Sequence, residues 1–478
     1  MPLQNPAPSL LPALALAALL SGCASLAPAG TALPATPVPA EWSNPAPFAS
    51  NAAGPAALAG WWQRFGDPQL TALVVQALQA ATDVRSAQAA LQQARALRDV
   101  SAAGLQPALG ASASAQRSKS GGAGAFNTFQ AGFDASWEPD VFGRQRSALA
   151  AAEADVGAAA ASLAAVRVSL AAEAAVNYID LRGLQARLGI ARGNLAAQEE
   201  TLQITRWRAQ AGLASSLDVE QAVAASEQTA AQVPALQTSL AQAASSLAVL
   251  TGQAPGALQA VLDAGAGAAV PQPAGDLAVA FPAEVLRQRP DVQGAEQQVR
   301  AALARVAQAD AARHPSFSLS GSLGLRALTV GGLSGGAAAA NALLAGVSAP
   351  LLDGGAARAQ VRVQEAGLES ARIGYQATVL AALKDVEDAL VALRNDRERL
   401  ARLQAAAEAA GNADLLARQR YAGGLIDFRT VLDTQRTLLS TQDSVQATRT
   451  SLSADHVRLY KALGGGWTPE APLQAAAP

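Results

Sequence analysis

The 478-residue chain contains one cysteine, one methionine and two histidines. A single cysteine excludes an internal disulfide, and so few Cys, Met and His residues argue against a soft-metal site. The histidines are poorly placed for catalysis: His314 precedes Pro315, and His456 sits in a polar helical stretch. Without a nucleophile–base set, a metal cluster or a Gly-rich phosphate loop, nothing points to an enzyme. Aromatics are only 4% and the formal net charge is −2. A near-neutral chain lacks the basic stripe that nucleic acid requires. Alanine is abundant and dominates a hydrophobic content of 50%, a composition suited to long, closely packed helices.

The run "LLPALALAALLSGCAS" is too short to span a bilayer comfortably and ends in small residues, as a secretory signal does. Leu20-Ser21-Gly22-Cys23 resembles a bacterial lipobox, which implies a mature chain beginning with lipid-bearing Cys23. Residues 1–22 contain no Lys or Arg, a departure from the usual positive n-region that leaves the translation start open. Ala24 in place of Asp points by the same resemblance to the outer membrane. The Pro/Ala-rich residues 23–60 predict an extended tether, with order beginning near Trp61.

The body of the chain is a duplication. Gly143 and Gly355, Gly212 and Gly424, and Gly252 and Gly464 are each 212 residues apart, whereas Asp83 and Asp291, and Pro107 and Pro315, are 208 apart. The second half is therefore longer by four residues between Pro315 and Gly355. In each half a proline-free stretch carries apolar residues at 3–4 spacing, such as Leu181, Leu184, Leu188, Leu195 and Leu202, predicting a very long helix of roughly 100 Å. Between Leu170 and Leu181 the stripe needs an extra step of four, a stutter that unwinds a supercoil locally. Two segments alternate with period two instead: "FQAGFDASWEP" and "PSFSLSGSLGLR", each with a weaker partner across a Gly-rich turn. These predict two amphipathic hairpins with strands of about ten residues, long enough to cross an outer membrane when tilted. Four strands cannot close a barrel alone, whereas three copies would supply twelve.

With these pieces in place the chain resembles the TolC-like outer-membrane efflux proteins, specifically the lipoprotein subgroup of RND-type tripartite systems. The resemblance rests on Leu20-Ser21-Gly22-Cys23, "WWQRFGDPQLTALV", "SWEPDVFGR", "RQRPDV", "LLDGG" and "YAGGLIDFRTVLDTQR". It implies a homotrimer with a 12-stranded transmembrane β-barrel continuous with a long periplasmic α-helical tunnel. It also implies a periplasmic adaptor and an inner-membrane RND-type pump as partners, and no cofactor beyond the lipid on Cys23. The two helix-turn-helix tips would meet the adaptor through Gly212, Leu213, Ser215, Gly423, Gly424 and Leu425, and would close the pore at rest. Asp433 matches the family's aperture acid, which in a trimer gives a carboxylate ring favouring cations. Tyr421 and Asp218 match positions that tie neighbouring coiled coils together. Arg429 departs from the apolar residue usual there. Lying four residues before Asp433 on the same helix face, it is expected to form a charge network with that acid within or between subunits. Ser215 or Ser216, and Asp427, suit the caps of the returning helices.

The expected layout is a signal over 1–22, a tether over 23–60 and a first repeat over 61–262. That repeat holds a hairpin near 106–141, a long helix near 142–209, a tip at 210–216 and a return helix to about 251. A linker over 263–281 leads to a second repeat over 282–465, with hairpin near 315–352, long helix near 356–421, tip at 422–427 and return helix to about 463. A tail covers 466–478. The competing reading is a lipid-anchored periplasmic coiled-coil adaptor, which normally has one helical hairpin rather than two.

Overall fold

A computed structural model describes residues 37–44, 58–119, 121–122, 124–264, 267, 269–275, 282–335 and 338–467. The signal, Cys23 and the C-terminal tail beyond 467 lie outside the described residues. A 3₁₀ turn at Trp61–Phe65 leads into α1 (Pro68–Ala80) and α2 (Thr82–Ala103), then strands β1 (Ala108–Ser118) and β2 (Phe126–Trp137). Helix α3 (Arg144–Gln210) runs out to the first tip and α4 (Ser216–Leu250) returns. After the short α5 (Gln259–Ala264), α6 (Pro282–Gln288) and α7 (Pro290–Ala311) precede β3 (Ser316–Ala327) and β4 (Ala339–Ser348). Helix α8 (Ala356–Ala422) and its return α9 (Phe428–Ala462) complete the second half.

The duplication is written into the backbone. The outgoing helices are 67 residues each and the returning helices 35 each, so the outgoing pair reaches about 100 Å. Paired glycines share the same left-handed conformation: Gly212 and Gly424 have φ of 72° and 71°, Gly252 and Gly464 of 72° and 74°. Each terminates a helix by a Schellman turn, in which the residue after the glycine donates back to a carbonyl in the last turn.

The four strands form one antiparallel sheet in the order β1-β2-β3-β4, so β2–β3 pairing joins the two halves. The register sets Phe129 opposite Ala327, Phe133 opposite Leu323 and Trp137 opposite Leu319. One face therefore gathers Leu109, Phe133, Trp137, Leu319, Leu323, Leu325, Leu343 and Val347, all exposed in the single chain. The other face carries Ser112, Ser114, Gln130, Asp134, Ser320 and Ser322. β1 and β4 each leave one edge unpaired.

The main core is a belt halfway along the helices. Trp61 stacks on Tyr460 with ring centroids 5.1 Å apart and planes at 11°, and Phe65 meets both edge-on. Helix α3 crosses this belt where the stutter falls: Leu170, Ala171, Ala174, Ala175, Tyr178, Ile179 and Leu181 are all buried. The phase shift in the apolar stripe thus marks where the buried face of the helix widens, with Glu173 and Asp180 left on its exposed side. Arg182, 1% exposed, donates to the Tyr178 hydroxyl at 2.9 Å, to Gln185 at 2.7 Å and to Gln69. Tyr178 in turn donates to Asp67 at 2.8 Å, and Asp67 caps α1 through Gln69 and Leu70 amides. A buried guanidinium is costly unless its donors are satisfied; here they bind α3 to the chain entering the belt. Burial pushes the Tyr178 hydroxyl up to about 12, against the pull of Arg182, so it stays a neutral donor.

Residues 37–44 depart from the free tether expected up to Trp61. Ser43 N–H and Asn44 Nδ2 donate to the Glu387 carboxylate on α8 at 2.6 and 2.9 Å, and Trp42 packs against the belt core. The Pro/Ala composition hides this docking, which depends on three polar groups and one ring. Part of the linker is also seated: Val270 is buried and Ala274 N–H donates to Arg64 O at 2.7 Å.

Candidate functional site: the paired helix tips

Both tips use the same local chemistry. Leu213 N–H donates to Arg208 O at 2.8 Å and Leu425 N–H to Arg420 O at 2.9 Å, closing the two outgoing helices. Gly212 and Gly424 supply the left-handed residue. Gly423 is different: its φ of −79° is ordinary helical backbone, and Ala211 stands at the matching place in the first tip. The turn does not require glycine there. Leu213, Leu217 and Leu425 project into solvent at 69%, 63% and 77% exposure, an apolar surface at the end of the helices.

The returning helices start differently. Ser215 and Asp218 form a capping box: Asp218 N–H donates to Ser215 Oγ at 3.2 Å and Ser215 N–H to Asp218 Oδ2 at 2.9 Å. Within one subunit, then, the Asp218 carboxylate serves its own helix and not a neighbouring coil. Asp427 accepts from Thr430 Oγ1 at 2.8 Å and Thr430 N–H at 3.0 Å. Those two bonds hold its carboxyl below the usual range.

Tyr421 joins the two tips inside one subunit. Its ring is buried, lies 5.5 Å from Phe428 and carries the Arg208 guanidinium 4.4 Å from its centroid. Arg208 also donates to the Tyr421 carbonyl, and the Tyr421 hydroxyl reaches Thr205 Oγ1 at 3.4 Å. Leu202, Ala222, Ala225, Ala417, Val431 and Leu432 close a small apolar core around them.

Above this core, α3 and α9 run antiparallel with a ladder of polar contacts. Arg187 makes two hydrogen bonds to Asp443 at 2.6 and 3.0 Å. Asn194 donates to Gln442 at 2.9 Å, and Gln435 to Thr201 at 3.0 Å. Arg187, Asn194, Thr201 and Arg208 follow one another at seven-residue steps on α3, the spacing of a coiled-coil seam. Sequence reading missed this seam because its polar residues mimic a solvent face and their partners lie more than two hundred positions away. The heptad step itself was the available signal.

Asp433 and Arg429 are exposed on α9, away from the tip core. They do not form an ion pair with each other within the subunit, so the intrasubunit form of the expected network is absent. The order explains it: a base preceding an acid by four residues is the less favourable arrangement, and an exposed pair contributes only about 0.3–0.5 kcal/mol.

An outer membrane efflux protein family model matches residues 73–253 and 281–465, one stretch in each half. The chain belongs to the outer membrane efflux protein family. Nodulation protein T of Rhizobium leguminosarum bv. viciae is 32% identical over 458 residues, covering 96% of this chain and 93% of that protein. The pyoverdine export outer membrane protein OpmQ of Pseudomonas aeruginosa is 32% identical over 469 residues, covering 94% and 95%. The solved outer-membrane channel OprN superposes with a TM-score of 0.82 at 35% identity, over 92% of this chain and all of that one. As a family member the chain is a TolC-like outer-membrane channel component of a tripartite efflux system, with a periplasmic helical tunnel. It works with an inner-membrane pump and a periplasmic adaptor. Membership decides against the adaptor reading of the chain itself.

Proposed function

We propose that this channel is a homotrimer, lipid-anchored through Cys23, that passively conducts small molecules delivered by an RND-type pump. The observation that carries the trimer is the sheet: four strands with two unpaired edges and an uncovered apolar face. Exposed sheet edges cannot face lipid, so further copies must pair with β1 and β4. Three copies of four strands give the twelve of the expected barrel. The six tips would then ring the periplasmic mouth, presenting Gly212, Leu213, Ser215, Gly423, Gly424 and Leu425 to the adaptor. Tyr421, with Arg208, holds the two tips of each subunit together, while Asp433 and Arg429 project freely enough to meet a neighbour's residues. Asp218 contributes through the shape of the first tip. The reading involves no cofactor and no chemical step, and the pump supplies the energy.

Crosslinking in outer-membrane fractions is expected to give a trimer and no higher species, and palmitate labelling is expected to be lost on Cys23→Ser. In planar bilayers Asp433→Ala is expected to reduce cation preference at the mouth. A monomer that stays soluble without detergent after Cys23→Ser would overturn the channel assembly.

A further inference from the structure

The strand register allows a complete inventory of the polar face of the sheet. On β1 it presents Ala108, Gly110, Ser112, Ser114, Gln116 and Ser118. The β2 contribution is Phe126, Thr128, Gln130, Gly132, Asp134 and Ser136. β3 contributes five Ser or Gly residues and then Arg326, and β4 contributes Ala340, Ala342, Leu344, Gly346 and Ser348. Among the described strand residues this face therefore holds one acid, Asp134, and one base, Arg326. The opposite face is the uncovered apolar one, which belongs against lipid, so Asp134 and Arg326 face the barrel lumen.

Their surroundings differ. Asp134 accepts a hydrogen bond from Ser112 Oγ at 2.7 Å and lies opposite Ser322. Arg326 is exposed, lies opposite Gln130 and has no ion-pair partner among the described residues. The row between them is made of the smallest side chains: Ser112, Gly132, Gly324 and Ala340 in register. Nothing on that row can bridge the two charges. Ser322 and Arg326 are four residues apart on β3, roughly 13 Å along the strand. Both hairpin turns, after Ser118 and after Ala327, lie at the end of the sheet away from the long helices. With the helices in the periplasm, Arg326 is on the extracellular side and Asp134 on the periplasmic side.

We propose that Arg326 is a selectivity residue of the channel: repeated in each subunit, it forms a basic ring near the outer mouth that draws anionic solutes through the barrel exit. The proposal rests on the channel reading above. A ring of fixed charge of one sign is enough to bias permeation, and among the described strand residues of the lumen face Arg326 is the only basic one. The barrel is thereby bipolar, with an acidic level below and a basic level at the exit. Asp134 is the counterweight, since removing it should strengthen the anion preference.

Reversal potentials across planar bilayers holding channels inserted from one side test this, with 0.1 M and 1 M KCl on opposite sides. The Debye length is about 10 Å at 0.1 M and 3 Å at 1 M, so the exit ring acts most strongly when the barrel end faces the dilute side. In that orientation Arg326→Gln, a polar replacement opposite Gln130, is expected to lower the chloride-to-potassium permeability ratio by about twofold. Arg326→Lys should retain the wild-type ratio and Asp134→Asn should raise it. Reversing the gradient should shrink every difference. Conducting Arg326→Gln channels with an unchanged ratio in both orientations would overturn the proposal alone. No conductance from either the wild-type protein or the Arg208→Ala protein, whose tips are loosened, would overturn the channel reading with it.

Discussion

At the scale of single residues, the crevice beside the seam between the two hairpins contains a half-satisfied carboxylate. Asp414 on α8 is 2% exposed and pairs through Oδ2 with Arg418 at 2.8 Å. Its Oδ1 has no hydrogen-bond partner, and neither has Oε1 of Gln198, which lines the same crevice. The other groups there from α3 and α9 are uncharged, including Asn194, Gln435 and Gln442. Two buried acceptors face a shortage of donors, which is unfavourable. Burial raises the Asp414 carboxyl above its ordinary value, and Arg418 only partly offsets this. A carboxyl raised in the folded state stabilises that state fully below its unfolded value and loses the effect as pH rises through the folded value. This contribution to the seam should therefore be full below the ordinary carboxylate range and be lost as the pH rises through the raised value. Asp414→Asn supplies a permanent donor, so it should stabilise the helices by about 1 kcal/mol at neutral pH. Circular dichroism melts should show that gain shrinking as the pH is lowered. Arg208 gives a contrasting case. Arg208→Ala removes both a hydrogen bond to the Tyr421 carbonyl and the contact with its ring, and is expected to cost about 1–2 kcal/mol and raise resting conductance. Tyr421→Phe loses only the 3.4 Å contact to Thr205 and should change conductance little.

At the scale of elements, the glycine pairs were legible because a left-handed residue at a helix exit leaves few alternatives to glycine. Strands were legible because period two with Phe, Trp and Leu on one side suits no helix. The seam and the docked residues 37–44 were not, since each depends on partners brought from distant sequence. Legibility also stops short of distinguishing among glycines. At Gly212 an added Cβ would meet nothing within 4 Å, whereas at Gly252 it would lie 2.7 Å from the Ala80 carbonyl oxygen. Both have left-handed φ, so alanine at either costs about 1–2 kcal/mol in backbone strain. Gly252→Ala must in addition push α1 away from the end of α4. Thermal melts are expected to show a clearly larger loss for Gly252→Ala than for Gly212→Ala, and limited proteolysis should open the belt only in the former.

At the scale of the whole molecule, alternating strand residues must meet different solvents. Leu323 lies opposite Phe133 and is 62% exposed in the single chain, on a face with no protein cover. Ser322, one residue earlier, lies opposite Asp134 on the lumen face. A single position along β3 therefore separates lipid from water, because a one-residue shift moves a side chain to the other face. Leu323→Arg puts a guanidinium toward the hydrocarbon and should cost about 2–4 kcal/mol near the midplane. Ser322→Arg puts the same group into an aqueous lumen beside Asp134 and should leave folding close to wild type. Both proteins can be compared by refolding into lipid vesicles against urea and by the heat resistance of their β-structure. A sheet whose apolar face stayed in water would tolerate the two substitutions equally. With the apolar face in lipid, the arginine at 323 must fail where its neighbour at 322 succeeds, and that difference should vanish when the proteins are refolded without vesicles or detergent.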